Sequence, residues 1–184
     1  MSVGYWETLV EGQVDGPTLT AAARASCIPP ASKFTLRPNF FDKIGKKLFI
    51  RAQGRISSLI TTPGTARYDI VFGAALMFDS LAILLDTVAG HTTVPWWLEI
   101  EMTCRAIGAT GNLFTQGRWS CEDILGVPAT APKGVLTAML PWNVAPAVGA
   151  NFDTTASQTI DMFFTQTVAT GQMILHQYTV ISPN

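Results

Sequence analysis

The sequence predicts an all-β protein: an antiparallel β-sandwich of jelly-roll type with an extended N-terminal arm. Three observations predict it. Residues 94–108, VPWWLEIEMTCRAIG, set Leu98, Ile100, Met102 and Cys104 against Glu99, Glu101, Thr103 and Arg105. That is the two-residue period of a strand with one buried face. Residues 47–56 repeat the pattern, with Leu48, Ile50, Ala52 and Ile56 opposite Phe49, Arg51, Gln53 and Arg55. Turn signals separate such segments at fairly regular spacing, enough for eight or nine strands. No repeat of 20 to 50 residues is evident, which argues against propellers and solenoids.

A chain of 184 residues fits one core, divided into an arm (1–32) and a single sandwich domain (33–184). The arm carries Gly4, Gly12, Gly16, Pro17, Pro29 and Pro30 and holds no long period, yet contains Tyr5, Trp6, Leu9 and Val10. A solvated tail has little use for such residues. The arm is expected to lie across a neighbouring subunit or across its own sandwich.

The strand at 47–56 is interrupted by Gly54, which marks a bulge or a close backbone approach. TTPGT at 61–65 is a turn, and Tyr68, Ile70 and Phe72 form the next buried row opposite Arg67 and Asp69. Residues 74–89 are ambiguous. Met77, Leu81, Leu84, Leu85 and Val88 have helical spacing, but strands flank them on both sides. Two short strands turning at Asp79-Ser80 are expected.

Next comes the 94–108 strand, with GATG at 108–111 as the turn of a hairpin. A centre near Thr110 sets Cys104 opposite residue ~116 and Cys121 opposite residue ~99. The two cysteines are then about 16 Å apart along the ladder, beyond the ~7 Å a disulfide spans. Cys27, Cys104 and Cys121 are an odd set without metal-ligand spacing. They read as free, buried thiols made in a reducing compartment. Residues 127–151, rich in Pro, Ala and Gly, read as a surface excursion with one strand, GVLTAML. FDTTAS is a turn rich in side-chain caps, followed by alternation through Ile160, Met162, Phe164 and Val168. MILHQYTVI is the last strand.

Composition narrows the function classes. The chain is 48% hydrophobic and only 14% charged, with a mean hydropathy of +0.28. Apolar surface left after folding marks a partner site, unless an uncharged polar surface encloses a large core. The longest apolar stretch, 71–78, is far short of a membrane span. Glu7 and Glu11 break the pattern of a secretory leader. Lys33, Arg37, Lys43, Lys46, Lys47, Arg51, Arg55 and Arg67 are eight of the 12 basic residues and face only Asp42 between 33 and 67, a local balance of +7. Such a belt fits nucleic acid, an acidic protein surface, or a solvated face balanced by acidic strands of the same fold.

The strings NFFDKIGKKLFIRAQGRIS, TTPGTARYDIVFG, VPWWLEIEMTCRAIG, TQGRW and FDTTASQTIDMFF resemble structural proteins encoded by tailed bacteriophages, over roughly residues 34 to 182. They are strand-and-turn motifs. The resemblance implies a jelly-roll-like virion protein of head decoration or cement type, made in the host cytoplasm. Its partners would be other virion subunits, capsid protein foremost, and it would form a homo-oligomer such as a trimer. A receptor- or glycan-binding module of a tail or head fibre, or a tail or neck component, is the alternative.

No reaction is written in the residues, and no cofactor is implied. His91, in an expected loop, and His176 lack carboxylates or thiols at zinc spacing. No Gly-x-Ser-x-Gly elbow occurs. Glu99 and Glu101 share a strand face about 6.6 Å apart, but alternation with Thr and Arg is the ordinary wet side of a sheet. Trp96 and Trp97 must point to opposite faces, so one of them lies outside or under a loop. Exposed tryptophans serve protein interfaces and stack on sugars. The overall charge is low for DNA binding. The expected partner interface comprises Tyr5, Trp6 and Leu9 of the arm with Lys43, Lys46, Lys47, Arg51 and Arg55.

Overall fold

The structure, a computed structural model, describes residues 5–59, 61–62, 64–125 and 135–183. Its strands are β1 (Trp6–Glu11), β2 (Arg24–Ser26), β3 (Phe34–Leu36), β4 (Lys47–Ser58), β5 (Thr65–Phe72), β6 (Ala75–Asp79), β7 (Ile83–Leu84), β8 (His91–Ala106), β9 (Asn112–Leu125), β10 (Val135–Leu140), β11 (Gln158–Gln166) and β12 (Gln172–Pro183). They form an antiparallel β-sandwich. One sheet has six strands in the order β1-β12-β4-β8-β9-β10. The second runs β2-β11-β5-β6, with β3 also on β11 and β7 also on β5.

Alternation accounts for the core between them. Leu48, Ile50, Ala52 and Ile56 of β4 and Trp96, Leu98, Ile100, Met102 and Cys104 of β8 are buried. They face Tyr68, Ile70 and Phe72 of β5 and Ile160, Met162 and Phe164 of β11. Tyr68 spans the layers, its ring 5.3 Å from Trp96, 5.1 Å from Trp119 and 5.2 Å from Phe164. Residues 74–89 form two strands, as expected, although β7 has only two residues.

Four readings of the sequence change. The strands among the described residues number twelve, not eight or nine, because short pieces of 6–36 and 83–84 join the sheets. Of the two positions expected for the N-terminal segment the structure shows the second, across its own sandwich, but as strands of the sheets and not as an overlying arm: β1 pairs β12, Leu19 bridges Met173, and β2 pairs β11. It therefore borders both sheets. His91 opens β8 and does not sit in a loop.

The fourth change concerns the hairpin. Cys104 faces Leu113 and Cys121 faces Trp96, a shift of three residues from a centre at Thr110. A bulge between Cys104 and Ala106 takes up a residue. The turn begins at Gly108, whose φ of +98° suits glycine. Thr154 then pins it, with the Gly108 N–H donating to Thr154 Oγ1 (2.8 Å) and the Thr154 N–H donating to the Gly108 carbonyl (3.0 Å). The cysteines end up farther apart than expected, and all three are free and buried.

Gly54 is a place of close approach. It pairs with Trp96 on one side and Leu175 on the other. A Cβ there would overlap the Ile174 carbonyl oxygen and lie 2.9 Å from Trp96 Cζ2. Next to it β12 bulges between Leu175 and Gln177. Gly54→Ala should therefore lower the free energy of unfolding by about 3 kcal/mol, read as a lower denaturation midpoint at constant slope. An unchanged midpoint would contradict the packing described.

Candidate functional site

The outer face of the six-stranded sheet is ordered in rows, because the registers of its strands align side chains across it. Glu11, Thr179, Arg51, Glu99, Arg118 and Met139 make one row. Next to it run Gln177, Gln53, Trp97, Ser120 and Thr137. On the other side Ile181, Phe49, Glu101 and Gln116 line up.

The charged row neutralises itself. Arg118 Nε donates to Glu99 Oε2 at 2.7 Å, and Arg51 Nε lies 3.3 Å from Glu99 Oε1. Lys47 binds Glu101. Glu99 and Glu101 are thus both held by bases. Elsewhere Lys33 pairs with Asp161 (2.5 Å), Lys46 with Asp42 (3.3 Å) and Arg67 with Asp79 (2.6 Å). Five of the eight belt residues are paired within the chain. Arg37, Lys43 and Arg55 have no ion pair among the described residues. The belt is also divided, since Lys47, Arg51 and Arg55 belong to β4 while Arg67 belongs to β5 of the other sheet.

The expected interface residues are only partly brought together. Trp6 is 60% exposed and stacks on Phe49, centroids 5.4 Å apart and planes 3° from parallel. Tyr5 is exposed beside it, whereas Leu9 packs against the core. Lys47 and Arg51 flank Phe49 on β4. Arg55 is six residues beyond Phe49, about 20 Å along the strand. Lys43 and Lys46 lie in the connection to β4, with Lys46 Nζ 4.5 Å from the centroid of Phe40.

Trp96 is 3% exposed and Trp97 42%. Trp97 borders two shallow depressions. One, of about 380 Å³, includes Gln53, Ser120, Glu122 and Leu136. The other, of about 250 Å³, includes Gln53, Gln177, Thr179 and Glu11. No described aromatic ring stacks on Trp97.

The titratable groups are placed as structural parts. Burial pushes the Cys27 and Cys104 thiols up, with Asp161 adding to the effect at Cys27. Both stay protonated at neutral pH, the wrong state for a nucleophile. His91 Nε2 is 3.1 Å from Asp86, and His176 Nδ1 is 2.8 Å from Asp15. Among the described residues no group of three His, Cys, Asp or Glu side chains could hold a metal.

The sequence gives no signal for the burial of Asp69. Strand parity turns it outward, but Arg24 of β2 crosses over and binds it, while the Arg24 guanidinium sits 3.5 Å above the Phe163 ring. Asp69 is 1% exposed. The pairing depends on a contact 45 residues away in the chain.

No family model matches the chain, and no curated protein matches it by sequence. Among solved structures it is similar to the CBM2 module of the evolved Dit of Lactobacillus casei BL23 phage J-1. The identity is 7%, the match covers 83% of this chain and 68% of that one, and the TM-score is 0.33. A likeness of that size carries no argument about ligand or role.

The two kinds of ion pair should respond differently to substitution. Asp69→Ala is expected to cost about 2–3 kcal/mol, since it removes charge-assisted hydrogen bonds to a nearly inaccessible carboxylate. Arg118→Ala, in a wet pair, should cost no more than about 1 kcal/mol. Equal losses in urea unfolding would contradict the assignment of Arg118 to a solvated face.

Proposed function

We propose that the chain is a non-enzymatic structural protein of a tailed-phage particle, a head decoration or cement subunit that binds assembled capsid protein. The observation that carries this reading is the Trp6 corner of the six-stranded sheet. There exposed Trp6 stacks on half-buried Phe49 at β1, an edge strand whose outer side pairs with no described strand. Free strand edges accept a partner strand, and exposed tryptophan is favoured at the centre of protein interfaces. Lys47 and Arg51 flank the corner and suit an acidic partner rim. The phage setting rests on the resemblance of the strand-and-turn motifs.

The mechanism is mass action. A subunit that binds the closed shell and not its dissociated parts stabilises the shell. A trimer matches the local symmetry such a subunit would meet. The basic residues favour protein over nucleic acid, because most are already paired and few phosphates could be neutralised.

Particles stripped of the protein and reconstituted with it test the reading. Hundreds of copies per particle are expected, against about 3–18 for a fibre or tail part. Trp6→Ala should weaken attachment at least about tenfold while leaving the circular dichroism of the sandwich unchanged. A low copy number, or full attachment of the variant, would overturn the decoration role. Deleting residues 1–32 is a poorer test, since it strips β1 and β2 from the sheets.

A further inference from the structure

We propose that the row centred on Trp97 is a binding site for a neutral saccharide. This goes beyond attachment and uses a different part of the face from the Trp6 corner. The row Gln177, Gln53, Trp97, Ser120, Thr137 contains no ionisable group. The neighbouring charges, Arg51, Glu99 and Arg118, satisfy one another. Both guanidinium groups are already engaged by Glu99, so a charged peptide or nucleic acid meets no unengaged counter-charge in the row itself.

The side chains of the row match a polyhydroxyl ligand. Trp97 is exposed and unstacked, unlike Trp6 on Phe49 or Trp96 and Trp119 against Tyr68. An indole face of this kind takes the apolar C–H face of a pyranose. The amides of Gln53 and Gln177 have no side-chain hydrogen bond among the described residues. Each offers donors and an acceptor, the combination that neighbouring sugar hydroxyls require. Ser120 and Thr137 bond to each other at 2.9 Å and keep further capacity.

The shape agrees. Trp97 has a shallow, open depression on each side, of about 380 and 250 Å³. A ligand would lie across the indole rather than enter a pocket. At ~4.8 Å per strand the five-strand row extends about 19 Å, room for an oligosaccharide. Strand backbones hold the platform in place, so little ordering is required on binding. Within its row Trp97 is flanked by Gln53 and Ser120, which can hydrogen-bond a sugar, while Pro95 and Leu136 at the rim of the larger depression add apolar contact for its C–H faces.

Proton–nitrogen correlation NMR on the intact chain tests the proposal. The reporters are the indole N–H of Trp97, assigned with Trp97→Phe, and the glutamine amides. The probes are oligosaccharides of glucose, galactose, mannose and N-acetylglucosamine. At least one should shift these signals with a Kd of about 1 mM or tighter. Trp97→Ala should weaken that binding at least about tenfold, and Trp6→Ala should leave it unchanged. The double variant Gln53→Ala with Gln177→Ala, both polar and outward, should lower affinity without disturbing the fold. Silence from every probe would overturn the proposal, as would binding that survives loss of Trp97. Loss of particle attachment in Trp97→Ala without saccharide binding would make the row a protein interface and likewise overturn it.

Discussion

The contact of Tyr68 with Trp96, Trp119 and Phe164 holds the two sheets to one another and fixes which way each strand faces. Tyr68 is fully buried, and burial pushes its hydroxyl well above the ordinary range, so it acts as a neutral spacer. Trp96 reaches it because Gly54, directly across the ladder, leaves space for the ring. Once Trp96 points inward, Trp97 must point outward. A slip of one residue would bury Glu99 and Glu101 and expose Leu98 and Ile100, so the register is strongly held.

That constraint divides the molecule's surface. Lys47 and Arg51 of β4, Glu99 and Glu101 of β8 and Arg118 of β9 meet as cross-strand pairs. Between and beside them the aromatics are left: Trp6 with Phe49 near the β1 edge, and Trp97 two rows away. Glu99 and Glu101 hold bases, His91 lies against Asp86 and His176 against Asp15, and burial pushes the Cys27 and Cys104 thiols up.

Much of this was legible in the residues, and the failures have physical causes. β4, β5 and β8 could be read because one buried and one wet face impose a clean two-residue period. The hairpin register could not, since it depends on a bulge after Cys104 and on Thr154 docking from more than 40 residues away. Pairing of 6–32 with β11 and β12 is equally non-local, as is the cover that Arg24 places over Asp69. In the site, the parity of Leu98 and Ile100 implies an inward Trp96 and an outward Trp97. Gln177 was hidden for a different reason. In β12 the buried positions are Met173 and Leu175, then Tyr178 and Val180. The bulge at His176 changes parity, and a fixed period misplaces everything beyond it.

The proposed function requires that the protein attach through the outer face of its six-stranded sheet. Hydroxyl-radical footprinting of the free chain and of the chain on its particle tests this most directly. Oxidation of Trp6 and Phe49 should fall on attachment, while exposed Leu76 and Val148, at the β6 side of the sandwich, should react as before. Protection of Leu76 and Val148 with Trp6 and Phe49 unchanged would contradict it.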